Sequence, residues 1–472
     1  MILNIFVNKM IKNPLSFPHQ HAASSMMPHF FINELVEIDL VATNKPNDSG
    51  HAKSEPWCGR RRTNMNLQSG KLYWPTTLPA PPSYPVLEED IDCDVLIIGA
   101  GTSGAQCAYF LSDTDLDIVV VDKRKAGQGS TAVNTALIQY LGEKMFFELI
   151  NSFGEAYAAR HLKLCEQAIR DLAQAAGKLP LDCEFVTRDS LYYASSSEDV
   201  SKLESEYAAL QKHGFAVEWW TEEQIARHYP FRRPAAMLTK NDGEVNPYKL
   251  TIGLLEYAKN RGIRLFEQTE INGKKLEKDK AIFYTKTGAV IQAKSVIIAA
   301  GYETLDFKKD RNAVLTSTYA VVTNPVDDFS SWYNRTLIWE TARPYIYMRT
   351  TADNRVIIGG LDEDTTYADE RDAKLIHKRD QLIAEFNQRF PTINVQPEFY
   401  LGAYYAGTHD GLPIIGVYDE YPNCYFVYAY GDNGAVYSMV LAKCLRDWIA
   451  AGRSDDAQLY LPERPLASTL RT

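Results

Sequence analysis

The chain is 472 residues long, 45% hydrophobic and 11% aromatic, with a formal net charge of −10. That length exceeds one average domain and supplies a large core. The acidic balance argues against a nucleic-acid or anionic-membrane partner, both of which demand basic surface, and no apolar run approaches the ~20 residues of a bilayer span.

Residues 1–64 differ in character from the rest of the chain. Their short apolar start is followed, not preceded, by Lys9 and Lys12, the wrong order for a secretory signal. The stretch "TNKPNDSGHAKSEPWCGRRRTN" mixes Pro, Ser, Gly, Asn and charge without periodicity and reads as disorder. Its Arg60-Arg61-Arg62 run reads as a solvated tail. Met65 is read as the natural start, with 1–64 a disordered or dispensable extension and 65–90 an extended Pro-rich lead-in. The seven cysteines form no Cys-x-x-Cys pair, and their odd count and apolar neighbours suit reduced thiols in a cytoplasmic protein.

Strands and helices then alternate. "CDVLIIG" and "LDIVVVD" read as buried strands of a parallel sheet, with the helix "TSGAQCAYFLSDT" between them. Helical periodicity runs from about Glu143 to Ala176. "DSLYYAS" predicts a strand, and "SEDVSKLESEYAALQKHG" a helix with a Ser/Asp start and a Gly stop. "NPYKLTIGLLEYAKNRG" predicts another helix, followed by the strands "IRLFEQ" and "SVIIAAG". From about Thr316 to Gly360 the pattern is β, in "STYAVVT", "TLIWE", "YIYMR" and "RVIIGG". A long helix is predicted over roughly 370–389, then the strand "CYFVYAYG" and the helix "GAVYSMVLAKCLRDWIAAG".

Gly99, Gly101 and Gly104 form a G-x-G-x-x-G turn between a strand and a helix. The first glycine permits the tight turn, the second lets a pyrophosphate reach the backbone, and the third lets helix and strand pack closely. Thr102 and Ser103 open the helix, whose free N–H groups and partial positive charge suit phosphate. Asp122 ends the next strand 23 residues after Gly99, where a carboxylate holds a ribose hydroxyl. Lys123 follows it, and then a second donor loop, Gly129-Ser130-Thr131. A nicotinamide enzyme has no particular need of that loop, whereas FAD extends further across the sheet. Gly301 ends a strand returning to the same region, with Ile271 on the way. Asp410 in "HDGLPIIG" and Gly431, Asp432, Asn433 and Gly434 in "YGDNG" place a last turn at another helix start, suited to negative charge on a reduced flavin.

In order, these motifs resemble the D-amino-acid oxidase superfamily of FAD-dependent oxidoreductases, which includes glycine, sarcosine and γ-glutamylputrescine oxidases. The resemblance covers roughly residues 92–452 and rests on "GAGTSG", Asp122, "GSTAVN", "AAG", "RVIIGG", "THDGLPIIG" and "YGDNG". It implies an α/β protein with a Rossmann-like FAD-binding domain and a second α+β substrate domain built on an antiparallel sheet. FAD-binding segments are expected at 91–180, 246–305 and 401–455, substrate-domain segments at 181–245 and 306–400, and a tail at 456–472. It further implies oxidation of a C–N bond in a small-molecule amine or amino acid, by hydride transfer to flavin N5, giving an imine that hydrolyses. O2 or another electron acceptor completes the cycle.

Two departures concern the site. Where glycine oxidase carries a carboxylate-binding arginine, this chain has Tyr405, which cannot form a bidentate ion pair. Where monomeric sarcosine oxidase carries a flavin-linked cysteine, this chain has Ala403, so non-covalent FAD is expected. Tyr405 and His409 are the candidate catalytic residues, and Tyr319, Tyr404 and Arg349 the candidate substrate-binding ones. No metal is expected. The alternatives are an FAD enzyme acting on C–OH, an NAD-dependent dehydrogenase, and a tRNA-modifying flavin enzyme, the last disfavoured by the acidic charge.

Overall fold

The valine- and isoleucine-rich runs form the centre of a parallel sheet. The computed structural model describes residues 55–56, 65–142 and 144–464; the expectations placed on 1–64 and on the last residues of the tail lie outside the described residues. β1 (Ile91–Ile98) ends at the glycine turn, α1 (Thr102–Leu111) follows, and β2 (Ile118–Val121) returns parallel to β1 in the register Ile98↔Val121. α2 (Pro247–Lys259) leads to the strand Arg264–Phe266 beside β2. On the other side β1 pairs in parallel with β3 (Val290–Ile298). β3 is shared along its far edge. Its first half pairs antiparallel with Ala281–Thr285, and its second half pairs parallel with β4 (Cys424–Tyr428). α1 packs against α2 and against α3 (Gly434–Ala451) on one face of this sheet. All of β2 and the C-terminal ends of β1 (Val95–Ile98) and β3 (Val296–Ile298) are buried, as a sheet covered on both faces requires.

Among the described residues the second sheet has ten strands, with Pro397–Thr408, Ala313–Thr323, Val356–Glu363, Ile346–Thr350 and Leu337–Glu340 as consecutive neighbours. It is antiparallel except where Leu337–Glu340 runs parallel to Val186–Tyr193. Its outer face carries the helix Leu375–Arg389, whose Leu382 and Phe386, with Phe390 just past its end, pack with Tyr319, Val321 and Ile358. Trp332 stacks on Phe390 at 4.5 Å. The strand Pro397–Thr408, which enters the segment 401–455, pairs with Ala313–Thr323 of this second sheet along its whole length.

Other differences have local causes. The helical stretch before Ala176 is two helices, Phe146–Phe153 and Glu155–Ala176, split at Gly154 with φ +89. The helix near 370–389 is likewise two, Ala368–Ala373 and Leu375–Arg389.

Two buried carboxyls shape the response to pH. Desolvation pushes Asp242 and Glu206 up to about 7, against the pull of the hydroxyls and backbone amides that bond them. Both folded values lie above the unfolded ones, so their contribution to stability is complete below about pH 4 and is lost as pH rises through about 7. Thermal melts from roughly pH 5 to pH 8 are expected to show that part of the stability declining, and Asp242→Asn should flatten the slope.

Candidate functional site

The two sheets face each other across a cleft enclosing about 1960 Å³ of empty space, part of it open to solvent. One wall is the glycine turn. Gly99 has φ +116, and a side chain there would meet the Ala299 carbonyl oxygen at 2.3 Å. Gly101 lines the cleft, while Gly104 lies behind it, where a Cβ would sit 1.8 Å from the Gly99 oxygen. Thr131 crosses this turn: its hydroxyl accepts from the Thr102 amide at 3.0 Å and bonds the Thr102 hydroxyl at 3.0 Å.

α1 and α3 meet at their N-termini. Ser103 Oγ lies 2.8 Å from Ser438 Oγ, and Gln106 Nε2 donates to the Ala435 carbonyl at 3.1 Å. Neither N-cap residue bonds its own helix, and beyond the Thr102 amide that Thr131 accepts, the two helix starts point to the cleft that Gly101, Thr102, Ser103 and Gly434 line.

Asp122 lines the cleft at the end of β2. Oδ2 accepts from the Ala100 amide and Oδ1 from the Arg124 amide, each at 2.7 Å. Burial pushes this carboxyl up to about 6, against the pull of those two amides. Each oxygen keeps a second lone pair for a hydroxyl donor. Beside it, Lys123 and Arg124 both pair with the buried Glu303, at 2.8 and 2.7 Å. The two ammonium and guanidinium charges hold the Glu303 carboxyl below its usual range despite the opposing effect of burial.

The opposite wall comes from the second sheet. Trp339, Tyr345, Tyr347, Thr318, Asp362 and Tyr405 line it. Trp339 is braced from behind by Tyr192, the rings stacked at 3.7 Å. Gly359 makes room for Tyr347, since a Cβ there would meet the ring at 2.3 Å, which gives the "RVIIGG" run a packing reason. The strand pairs Ser317↔Glu363 and then Tyr319↔Gly360, with Leu361 at φ +58 in the bulge, and this irregularity brings Asp362 to the cleft opposite Thr318. Tyr345 and Tyr405 donate to Asp432 Oδ1 at 3.0 and 2.6 Å.

Of the residues expected at a cofactor, Gly99, Gly101, Thr102, Ser103, Asp122, Lys123, Gly129, Ser130, Thr131, Ile271, Gly301, Gly431, Asp432 and Gly434 line this one cleft. Three do not. Gly104 is a packing position. Asn433 is buried, its amide group donating to the Leu141 carbonyl. Asp410 is held by Arg464 in a bidentate pair at 2.7 and 2.8 Å, which fixes the turn after Thr408.

The substrate-side expectations divide more sharply. Tyr405 lines the cleft. Tyr404 borders it, but its hydroxyl donates to the Thr366 carbonyl at 2.6 Å. His409 is exposed beyond the strand end and is not among the lining residues. Tyr319 is a correction: strand alternation puts Thr318 on the cleft face and Tyr319 in the core behind it. Arg349 is another: it is fully buried and donates to the carbonyls of Thr135 at 2.6 Å, Val245 at 2.8 Å and Thr350 at 3.0 Å, so it ties strands together. Trp339, Tyr345, Tyr347 and Asp362 were missed. For Tyr345, Tyr347 and Asp362 the signal was present in "YIYM", two aromatics on one strand face, and in the first of the acids after "VIIGGL". Ala403 lines the cleft and no cysteine does among the described residues.

The family model described as "FAD dependent oxidoreductase" matches residues 94–448. The chain is 27% identical to a putative Rieske 2Fe-2S iron-sulfur protein of Bacillus subtilis over 51% of this chain and 46% of that one, so it spans about half that relative's length. It is 21% identical to gamma-glutamylputrescine oxidoreductase of Escherichia coli, over 81% of this chain and 89% of the relative. Among solved structures it is similar to L-proline dehydrogenase from P. horikoshii, with a TM-score of 0.66 at 19% identity, covering 80% of this chain and 98% of the other. No helix among the described residues is long and apolar enough to cross a membrane.

Proposed function

The chain belongs to the FAD-dependent oxidoreductase family by its match over residues 94–448, and from that premise we propose that it oxidises a C–N bond of a small amine or amino acid to an imine, which water hydrolyses. The observation that carries this reading is the cleft with two unlike walls: two helix starts on one side, aromatic and acidic side chains on the other. The first wall fits FAD. The Gly101–Gly104 turn and the start of α1 would hold its diphosphate, Asp122 its ribose hydroxyls, Ser130 and Thr131 further oxygens, and Gly431–Gly434 with the start of α3 the anionic side of the flavin. Bound FAD supplies a two-electron acceptor, the chemistry that amine oxidation requires.

The protein's own residues position and shield. Trp339, Tyr345 and Tyr347 wall off water beside the second sheet, which keeps the reacting amine neutral and able to give up electrons. Tyr405 is fixed by its bond to Asp432 and orients that carboxyl toward the cleft. Ala403, with no lining thiol among the described residues, supports non-covalent FAD. The relatives named for amine and amino-acid substrates support this substrate class. The test is anaerobic bleaching of the flavin absorbance of the purified protein across amines, N-methyl amino acids, glycine and D-amino acids. Bleaching by at least one amine or amino acid is expected, and reoxidation with and without O2 identifies the acceptor. A yellow protein reduced by none of these but by a small alcohol would overturn the reading.

A further inference from the structure

The acidic side of the cleft holds two carboxyls from distant parts of the chain. Asp432 comes from the turn before α3, and Asp362 from the bulged end of the strand Val356–Glu363. Asp432 is served by the hydroxyls of Tyr345 and Tyr405 through one oxygen. Asp362 is less well satisfied: its Oδ1 is sealed from solvent and accepts no hydrogen bond from any described residue. Native proteins rarely leave such an atom unmatched, because a buried acceptor without a donor forfeits its full hydration.

The charges nearby do not supply the missing partner. Burial pushes Asp362 up to about 6, and the like charge of Asp432 adds to this, while Thr318, Lys378 and Arg343 act the other way. Lys378 is engaged with Glu363 at 2.7 Å and with the Leu361 carbonyl at 3.2 Å. Arg343 donates to the carbonyls of Glu340 and Ala342 at 3.2 and 2.9 Å. Neither lines the cleft. The only cations that do, among the described residues, are Lys123 and Arg124, and Glu303 holds both on the other wall. Beside the second sheet the cleft therefore offers an incoming molecule two carboxyls and the rings of Trp339, Tyr345, Tyr347 and Tyr405, with no guanidinium or ammonium group lining that side among the described residues. Partly buried carboxyls among electron-rich rings favour an organic cation.

We propose that Asp362 and Asp432 form a subsite for a cationic nitrogen, and that the substrate is an amine carrying a second, protonated nitrogen beyond the one oxidised. The argument rests on the reading of the cleft as an amine-oxidising site. The reacting nitrogen must be neutral to release electrons, so a nitrogen held as a cation between two carboxyls is a different one. A diamine or polyamine satisfies both demands in one molecule, whereas a simple α-amino acid anchored by its carboxylate brings no second cationic nitrogen.

The experiment measures binding separately from turnover. FAD-loaded protein is titrated anaerobically with 1,4-diaminobutane, butylamine and 4-aminobutanoate, and dissociation constants are read by calorimetry and from the perturbed flavin spectrum. The diamine is expected to bind at least about tenfold more tightly than butylamine, with 4-aminobutanoate weakest. In Asp362→Asn the diamine-to-butylamine ratio should fall to near one. Equal binding of all three, or a ratio unchanged in the variant, overturns the subsite. Should the variant lose FAD, the ranking in the native protein decides alone. Tight, Asp362-dependent diamine binding without flavin bleaching by any amine would leave the subsite standing and sink the proposed reaction. Bleaching by amines with no preference for the diamine would do the reverse.

Discussion

Gly101→Val should yield a folded protein that purifies without FAD. An added Cβ at Gly101 would lie 3.3 Å from Thr131 Oγ1, a tight contact that a shift of a few tenths of an ångström relieves. No backbone atom stands in its way, so the cost to the fold is small. The two methyl groups beyond that Cβ would project into the cleft that Gly101 lines, where a diphosphate must approach the α1 amides. They would also crowd the Thr131 hydroxyl, which serves the Thr102 amide. An affinity loss of roughly a hundredfold or more, about 3 kcal/mol, is expected. The flavin-to-protein ratio after gel filtration measures retention, and far-ultraviolet circular dichroism measures the fold. A yellow variant with native flavin content would refute the assignment of this turn to the cofactor.

The wall of the cleft built on the glycine turn was legible because backbone chemistry wrote it into the sequence. A buried apolar strand, glycines at fixed spacing and an acid at the next strand end leave few alternatives, and Gly99 to Gly104, Asp122 and Ser130–Thr131 could be placed without coordinates. The second sheet was legible as β structure but not as a surface. In "STYAVVT" the alternation says that Thr318 and Tyr319 face opposite ways, but not which one faces the cleft, and the larger aromatic was the wrong choice. Arg349 shares the period of Tyr345 and Tyr347, but lies far enough along the strand to end among carbonyls. Asp362 depends on a bulge at Leu361, a residue type that gives no hint of a left-handed backbone. The break at Gly154 was hidden because the apolar period continues on both sides of it.

Gly104→Ala should fail differently from its neighbour three residues earlier. The added methyl carbon would sit 1.8 Å from the Gly99 carbonyl oxygen and 2.9 Å from its carbon, and would touch Ile97 Cγ2 at 3.4 Å. The first two are backbone atoms at the end of β1, and no side-chain rotation can relieve the contact. Either α1 moves off the sheet or the turn opens. Moving α1 strips packing from Ala105, Ala108 and Leu111, all buried, and pulls Ser103 from Ser438, the join between the two helix starts. Overpacking of this kind costs about 1–3 kcal/mol where a core can adjust and more where it cannot. The two variants thus separate two roles that a glycine pattern combines. Gly104→Ala should lower the melting temperature of the FAD-free protein as well as its flavin content, whereas Gly101→Val should lower the flavin content alone. An FAD-free Gly104→Ala protein that melts with the FAD-free native chain would show that the close approach of α1 to β1 is not required for the fold.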